Sequence, residues 1–317
     1  MRDKSSAIHG RSESVGLVFG FVGIVIFSLS LPATREAVEA FGAWTVGFGR
    51  AVLAAACAAG VLAITRTPGP DRQHLKSLLI IGAGVIVGFP LFTGLALETS
   101  TASRGAIVIG VLPAATALVA TLRHGERPSW QFWLAACGGL ATVVIFSIAT
   151  GANGRPELAD VFFVLAVASA AVGYAEGAVL TKEIGGWHTI SWALIVALPL
   201  TLPVATVSLA MHGVDQPEFS NWAGLAYVSL FSMYLGFFAW YAGLDIGGVA
   251  RVSQIQLLQP MLTLIWAALL LDEAITVAGV TTAGLVLAFV AASRRSSIVR
   301  PAASSDAITD RHAPSVR

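Results

Sequence analysis

Long apolar runs separated by short polar connections cover most of this 317-residue chain. A helix needs about 20 largely apolar residues to cross a bilayer. Ten runs of that kind lack Asp, Glu, Lys and Arg, except for Arg50 in the second run and Glu176 in the sixth. The runs are 14–34, 40–65, 77–97, 105–122, 128–154, 161–181, 184–214, 219–244, 252–271 and 274–293. The pattern predicts ten transmembrane helices.

Composition supports a membrane protein and excludes several other classes. Hydrophobic residues make up 56% of the chain and charged residues 12%, about half the charged share of a soluble domain. The period-two alternation of outer-membrane strands is absent from the sequence. Because lipid offers no partners to backbone groups, we expect an all-α integral membrane fold. A net charge of +1 gives no reason to expect nucleic-acid binding.

The distribution of Lys and Arg predicts the orientation of the chain. If the N-terminus lies inside, that face holds 15 of the 19 cations, the other face holds three, and Arg50 lies within a span. The positive-inside rule then predicts that both termini are cytoplasmic. We expect 1–13 to be a cytoplasmic N-terminal segment and 294–317 a disordered cytoplasmic tail. The Ala-rich, Arg-over-Lys composition is typical of a GC-rich bacterium, which predicts a multi-pass protein of the bacterial inner membrane.

The chain contains an internal repeat. An offset of 147 residues aligns three pairs of rare residues: Arg104 with Arg251, Pro113 with Pro260, and Glu126 with Glu273. Upstream, an offset of 143 aligns Gly42 with Gly185 and Trp44 with Trp187. We therefore expect two units, 14–154 and 155–293. Five spans per unit is an odd number, so the second copy must enter the membrane from the opposite side. Inverted repeats of this kind are found in many secondary transporters, whose substrate site lies near mid-membrane between the halves.

Four segments carry a resemblance to a known family. They are LPATREAVEAFGAWTVGFGR (31–50), GVLPAATALVATLRHGE (110–126), YAEGAVLTKEIGGWHTISW (174–192) and ARVSQIQLLQPMLTLIWAALLLDE (250–273). In 110–126 and 250–273 a Pro is followed 13 residues later by a Glu, and a Gly-bearing helix comes next. With these features, residues 14–293 resemble the drug/metabolite transporter superfamily, and specifically its EamA-type ten-helix carriers.

The resemblance implies both a fold and a general function. It implies two five-helix units and a carrier of small metabolites, often an exporter, without implying one substrate. The family tends to carry an Arg early in its second helix, and Arg50 matches that position. Ala193 stands at the equivalent place in the second unit, so this Arg is not duplicated.

Two charges within the spans are candidates for substrate binding or coupling. Glu176 could bind a cationic amine or take up a proton, because a carboxylate near a helix centre costs about 2.5–3.5 kcal/mol and normally faces a cavity or a partner. The alternative is a position near the cytoplasmic end of its helix. Arg50 could hold a substrate carboxylate. Its alternative is a structural role, either in an ion pair with Glu176 or in bonds to backbone carbonyls.

Several uncharged residues are also candidates. Gln256 shares a helix face with other polar residues and could contact substrate or join helices. The deep aromatic residues Tyr174, Trp240 and Tyr241 could line a cavity for an amphipathic substrate, or serve helix packing. The paired prolines of the fourth helix of each unit, Pro113 and Pro260, are predicted hinges or kinks. Glu126 and Glu273 are expected to be structural, as caps of the next helix or as partners of loop cations.

The residues favour a carrier over two other classes. The metalloprotease pattern HExxH, the GxSxG elbow and a Walker loop are absent from the sequence, so no catalytic residue, metal or cofactor is expected. The alternatives are an intramembrane enzyme of unknown reaction and a non-transporting membrane scaffold. We expect a secondary transporter that works by alternating access around a central cavity. Its partners would be a small-molecule substrate, such as an amino acid or amphipathic compound, and the lipid bilayer. Protons are a candidate coupling ion and a homodimer a candidate assembly.

Overall fold

The computed structural model describes the backbone of residues 3–123, 127–128, 130–150, 157–247, 253–295 and 298–299. The α-helices in these ranges are α1 Asp3–Ser28, α2 Ser30–Ile64, α3 Leu75–Ile81, α4 Phe89–Leu97, α5 Ala102–Ile109, α6 Leu112–Arg123, α7 Trp130–Thr150, α8 Leu158–Ile184, α9 Gly186–His212, α10 Phe219–Ala226, α11 Gly236–Gly247, α12 Gln259–Leu270 and α13 Val277–Arg295. Segments of π-helix, Gly82–Gly88 and Tyr227–Leu235, join α3 to α4 and α10 to α11. Segments of 3-10 helix, Arg72–His74 and Ser253–Leu258, precede α3 and α12. The predicted all-helical class is confirmed.

One small strand pair is added to the helices. Strand β1, Arg127–Pro128, pairs antiparallel with β2, Ile298–Val299. Strand β2 belongs to the segment 294–317 that was predicted to be disordered, and α13 also reaches into it as far as Arg295. Residues 300–317 lie outside the described residues. At the other end of the chain, α1 already begins at Asp3, within the predicted polar segment 1–13.

Seven helices in the described residues are long and apolar enough to cross a membrane. They are Ser14–Ile64, Arg72–Leu97, Ala102–Leu122, Trp133–Thr150, Leu158–Ile184, Gly186–His212 and Phe219–Gly243. The first has 51 residues and covers two of the predicted spans, 14–34 and 40–65. Two shorter apolar helices, Ile255–Leu270 and Val277–Ala292, coincide with the ninth and tenth predicted spans. The chain is a multi-pass helical membrane protein, and the count of ten crossings stays a prediction.

Two glycines with positive φ mark turns at corresponding places in the sequence repeat. Gly42 interrupts α2 with φ 71° and ψ 159°, and Gly185 separates α8 from α9 with φ 85° and ψ 153°. Glycine adopts this region without steric cost because it has no Cβ. After Gly42 the helix restarts at Ala43, whose N–H donates to Glu98 Oε1 at 2.8 Å.

Other helix boundaries follow the same repeat. Helices α6 and α12 begin 147 residues apart and also end 147 residues apart. The two π-helical segments likewise end 147 residues apart, at Gly88 and Leu235. One helix boundary is not repeated. Helices α1 and α2 are separated at Leu29, whereas α8 continues without interruption through the corresponding part of the second unit.

The connections between helices gather at two ends of the bundle. At the end that we call the Glu98 end, Arg35 donates to the carbonyl of Leu97 at 2.8 Å, and the N–H of Asp215 donates to the carbonyl of Ala40 at 3.0 Å. The end of α7, the start of α8 and the connections α4–α5 and α12–α13 meet at this end as well.

The opposite end, which we call the His74 end, holds the connections α2–α3 and α8–α9. His74 Nε2, just before α3, lies 3.3 Å from Glu183 Oε2 in the last turn of α8. The β1–β2 pair follows the far ends of α6 and α13, so it belongs to this end too. In the described residues, the connections that lie at an end of the bundle therefore alternate between the two ends along the chain.

Close helix packing depends on small residues, and Gly84 gives a prediction. A Cβ added to Gly84 would overlap the Ser169 carbonyl oxygen of α8 and lie 2.9 Å from the backbone N of Gly173. Because these are backbone atoms, α8 would have to move, and we expect Gly84→Ala to lower the free energy of unfolding by about 1–3 kcal/mol.

Denaturation of the purified protein in detergent tests this packing, with Gly60→Ala as the matched control. An added Cβ at Gly60 meets nothing within 4 Å, and alanine is the better helix former, so this variant should be as stable as the native protein or more so. Equal stability of the two variants would show that α8 does not pack against the π-helical segment as described.

Candidate functional site

The break between α1 and α2 is the centre of a buried polar region. Side chains from distant helices donate hydrogen bonds to groups just before Leu29. The Tyr227 hydroxyl donates to the carbonyl of Ile26 at 2.8 Å, and Thr263 Oγ1 donates to the carbonyl of Ser28 at 2.8 Å. Trp266 Nε1 donates to Ser28 Oγ at 2.9 Å. Residues of the second half of the chain thus contact the end of α1 directly.

Arg50 lies next to this break, deep in the protein. Its residue surface is 3% exposed, and its Nη2 donates to Ser232 Oγ at 3.0 Å. Ser232 Oγ in turn lies 2.6 Å from Ser30 Oγ, at the start of α2. Ser232 belongs to the second π-helical segment, a type of irregularity that often occurs at functional sites.

The guanidinium of Arg50 has bonding capacity to spare. Its Nε is buried and has no hydrogen-bond partner among the described residues. A buried donor that makes no hydrogen bond costs about 1–3 kcal/mol, and more when it is charged. Nε and Nη2 together form the edge of the guanidinium that binds a carboxylate with two parallel hydrogen bonds. Among the described residues, Nε is therefore an unused donor beside an Nη2 that already binds Ser232.

Glu176 is buried on α8, where it is 7% exposed. Its Oε1 accepts a hydrogen bond from Ser77 Oγ of α3. It lies eight residues, about two helical turns, before the end of α8 at Ile184. Arg50 and Glu176 thus have different hydroxyl partners on different helices. For Glu176, the role of a coupling acid and that of a residue near the membrane surface both remain predictions.

Tyr174 and Tyr241 are brought together by Phe237, which lies between them. The ring centroids of Tyr174 and Phe237 are 6.3 Å apart, and those of Phe237 and Tyr241 are 5.6 Å apart. Tyr174 and Tyr241 both pack against the core cluster that contains Ala51, the residue after Arg50. These three rings therefore form one aromatic cluster, which could contact the apolar part of a bound molecule.

Trp240 lies at a different contact. A Cβ added to Gly23 of α1 would lie 3.0 Å from the backbone N of Trp240, so this part of α11 packs directly on α1. Its predicted role in substrate binding is not supported by a contact with Tyr174 or Arg50 among the contacts described.

The paired prolines meet in one small cavity. Pro113, Pro260 and Gln256 all line a cavity of about 20 Å³, roughly the space of one water molecule. Each proline is the second residue of its α-helical segment, α6 or α12, and lies within one of the longer apolar helices Ala102–Leu122 and Ile255–Leu270. This placement has a physical reason: proline lacks an N–H, and the N–H groups of the first turn have no intrahelical partner in any case.

Glu273 is a helix cap, but not of the helix that the sequence predicted. Its Oε1 accepts from the N–H of Ala102 at 2.7 Å and its Oε2 from the N–H of Ser103 at 2.8 Å, so it caps α5 in the other half of the chain. The next helix, α13, is instead preceded by Thr276, which accepts a backbone N–H of that helix through its side chain. Glu126 lies outside the described residues.

Sequence reasoning missed the partners of the interior charges. Arg104 was recognised only as a repeated residue, yet it forms a two-pronged ion pair with Asp160, with N–O distances of 2.7 Å for both Nε and Nη2. Asp160 stands just before the sixth apolar run, which was a weak signal. The serine partners of Arg50 and Glu176 gave no signal, because serine is common within the spans.

A bundle of apolar helices with an irregular, polar interior and two sets of short connections defines a multi-pass membrane protein. Comparison with known proteins identifies the family: the EamA-like transporter family matches residues 14–148 and 157–294. The chain therefore belongs to this family, in the drug/metabolite transporter superfamily, and it is a transporter rather than an enzyme.

Individual relatives agree with this assignment. The "Uncharacterized transporter YdeK" of Bacillus subtilis (strain 168) is 42% identical over 282 residues, which cover 88% of this chain and 97% of that protein. The "Probable terminal-alkyne amino-acid exporter" of Streptantibioticus cattleyicolor is 21% identical, over 75% of this chain and 80% of the relative. "Protein PecM" of Dickeya dadantii (strain 3937) is 25% identical with the same coverage of both chains.

A solved crystal structure shares the fold. It superimposes with a TM-score of 0.58 at 18% identity, over 89% of this chain and 96% of the other. At this identity the similarity concerns the fold alone.

Proposed function

We propose that this protein is a secondary carrier that exports a small metabolite bearing a carboxylate, such as an amino acid or an amphipathic acid. The observation that carries this proposal is the buried guanidinium of Arg50, which has an unused Nε donor beside the Ser232–Ser30 pair. A fixed cation of this kind in a membrane interior is costly unless it has a partner or a function. The relative from Streptantibioticus cattleyicolor, named as a probable terminal-alkyne amino-acid exporter, supports the same substrate class.

Alternating access requires two halves of the protein that can move against each other. The internal repeat supports a division of the chain into two such halves. In the proposed architecture, ten spans form two inverted five-helix units, 14–154 and 155–293. Gly42 and Gly185 have nearly the same backbone angles, and α6 and α12 have bounds 147 residues apart. The alternation of connections between the Glu98 end and the His74 end is what ten crossings would produce.

We further propose that the His74 end is cytoplasmic and that both termini lie there. The positive-inside bias supports this orientation in a bacterial inner membrane. Glu176 lies on the part of α8 nearer this end and is the proposed site of proton uptake. Pro113 and Pro260, with Gln256 between them, are the proposed hinge at which the two units meet. A homodimer is part of the proposal only as a candidate assembly.

Flux into proteoliposomes tests the proposed function. We expect saturable uptake of at least one carboxylate metabolite from a panel of amino acids and amphipathic acids, and we expect a pH gradient to change its rate. Glu176→Gln should abolish the dependence on the gradient, because the amide cannot take up a proton. Glu39→Gln is the matched control, since Glu39 is half exposed and pairs with Arg35 at the surface.

The outcomes separate the alternatives. A flux that is the same in protein-free liposomes would contradict the carrier and favour the membrane scaffold. A saturable flux whose pH dependence survives Glu176→Gln would leave the carrier intact and show that Glu176 is structural.

A further inference from the structure

Four polar side chains lie along the contact between α3 and α8 at the His74 end. We call them the polar seam: His74, Ser77, Glu176 and Glu183. His74 directly precedes α3, and its Nε2 lies 3.3 Å from Glu183 Oε2 in the last turn of α8. Further into the protein, Ser77 Oγ donates a hydrogen bond to Glu176 Oε1. The same two segments are thus joined by two successive polar contacts.

Helix periodicity places the members of the polar seam on facing sides of the two segments. His74 and Ser77 are three residues apart, which is about one turn, and Glu176 and Glu183 are seven residues apart, which is about two turns. Beyond Ser77 the contact becomes apolar, since a Cβ added to Gly177 would lie 3.9 Å from Ile81 Cδ1. The polar seam therefore ends at Glu176.

The polar seam runs from the surface to the interior. The Glu183 side chain is 55% exposed, whereas His74 is 8% exposed and Glu176 is 7% exposed. A carboxylate in contact with water is thus followed by a buried imidazole, and then by a buried hydroxyl and carboxylate pair. This order connects the surface at the His74 end with the residue proposed to take up a proton.

The imidazole of His74 has a partner at Nε2 in either protonation state. Gln73 Nε2 lies 3.3 Å from His74 Nε2, and because an amide nitrogen can only donate, this contact suits a neutral ring with its proton on Nδ1. Glu183 Oε2 suits the protonated ring, in which Nε2 also carries a proton. Nδ1 is buried and has no hydrogen-bond partner among the described residues. An imidazole can accept a proton at one nitrogen and release one from the other.

Charged and titratable residues stand on the elements packed around His74 at this end. They are Arg72 and Lys76 on its own segment, Lys182 and Glu183 on α8, and His188 on α9, which also packs against α3. Of these, Glu183 is the residue whose described contact is with the imidazole itself. The water-exposed group next to the imidazole is therefore a carboxylate, which can exchange protons with the solvent.

We propose that the polar seam is a proton relay between the cytoplasmic side and Glu176, with His74 as the relaying residue. This inference rests on the proposed function, in which Glu176 takes up the proton. A proton from water or Glu183 binds Nε2 of His74, and the proton on Nδ1 leaves toward Ser77, one turn deeper. Ser77 Oγ accepts this proton while its own hydroxyl proton moves to Glu176 Oε1. One proton is transferred in total, and the reverse steps release it.

Time-resolved infrared spectroscopy of the full chain in phosphatidylcholine nanodiscs tests the relay, with protons released from a caged acid by a flash as the probe. The protonated carboxyl of Glu176 gives a C=O stretching band that is absent from Glu176→Gln. We expect this band to rise at least about tenfold more slowly in His74→Gln than in the native protein. Its final amplitude should not change, because a relay sets the rate of proton transfer and not the proton affinity of Glu176.

His212→Gln is the matched control, and imidazole rescue excludes a purely structural effect. His212 is exposed at the Glu98 end, where its Nδ1 lies 3.1 Å from the Ser208 carbonyl oxygen, so the band should rise at the native rate in this variant. Added imidazole should restore most of the rate that His74→Gln loses, because it replaces the missing proton carrier. A loss of rate caused by misplaced helices would not be restored in this way.

The outcomes distinguish failure of the relay from failure of the proposed function. A band that rises equally fast in His74→Gln and the native protein, or a slow rise that imidazole does not restore, would overturn the relay and leave Glu176 as the proton site. Absence of the band from the native protein would overturn proton uptake by Glu176 and the relay with it. Saturable flux in proteoliposomes then shows separately whether the carrier itself stands.

Discussion

Replacing Arg104 by methionine is expected to lower the free energy of unfolding by about 3–5 kcal/mol. Arg104 and Asp160 form a two-pronged ion pair in which each side chain is 9% exposed. The same guanidinium donates to the Ser147 carbonyl at 3.2 Å. Without the arginine, the Asp160 carboxylate would be buried with no cation, which is the costly half of breaking a buried pair.

Denaturation of the purified protein measures this loss, and two variants control it. Arg104→Met combined with Asp160→Leu should recover most of the stability, because an apolar pair of similar volume leaves no charge unpaired. Glu39→Gln breaks a partly exposed ion pair with Arg35 and should cost no more than about 1 kcal/mol. A loss for Arg104→Met as small as that for Glu39→Gln would contradict the burial of the pair.

The sequence predicted the features that depend on local pattern. The lengths of the apolar runs predict the helical class, and the 143-residue offset aligns Gly42 with Gly185, which have similar backbone angles in the structure. The 147-residue offset paired Pro113 with Pro260, and the structure places both on one cavity. These predictions depend only on residue type and on spacing along the chain, and both can be read from the amino-acid sequence.

The partners of buried charges could not be predicted in the same way. Arg50 donates a hydrogen bond to Ser232, 182 residues away in the sequence, and Glu176 accepts one from Ser77, 99 residues away. Such pairs depend on which helix faces meet, and an apolar run offers many serines that would serve equally well. The cap on α5 from Glu273 was mispredicted for the same reason, because local rules favour the nearest helix start.

Arg50→Gln is expected to reduce the catalytic efficiency of transport, kcat/KM, by about 100-fold for a carboxylate substrate. Two charge-assisted hydrogen bonds of about 1.5–3 kcal/mol each would be lost or weakened to neutral ones, and a net loss of about 2.7 kcal/mol corresponds to that factor. Arg50→Lys should recover only part of the loss, because an ammonium keeps the charge but lacks the planar pair of donors.

Stability distinguishes this role from the structural alternative for Arg50. The native guanidinium is 3% exposed with its Nε unpaired, so a neutral glutamine removes a buried charge that the described hydrogen bonds only partly satisfy. We therefore expect Arg50→Gln to unfold at the same denaturant concentration as the native protein, or higher. Ser232→Ala, which removes the hydroxyl partner but keeps the charge, is the matched variant for flux and should lose less transport than Arg50→Gln. Full flux in Arg50→Gln together with a loss of stability would show that this arginine holds the helices together and does not bind the substrate.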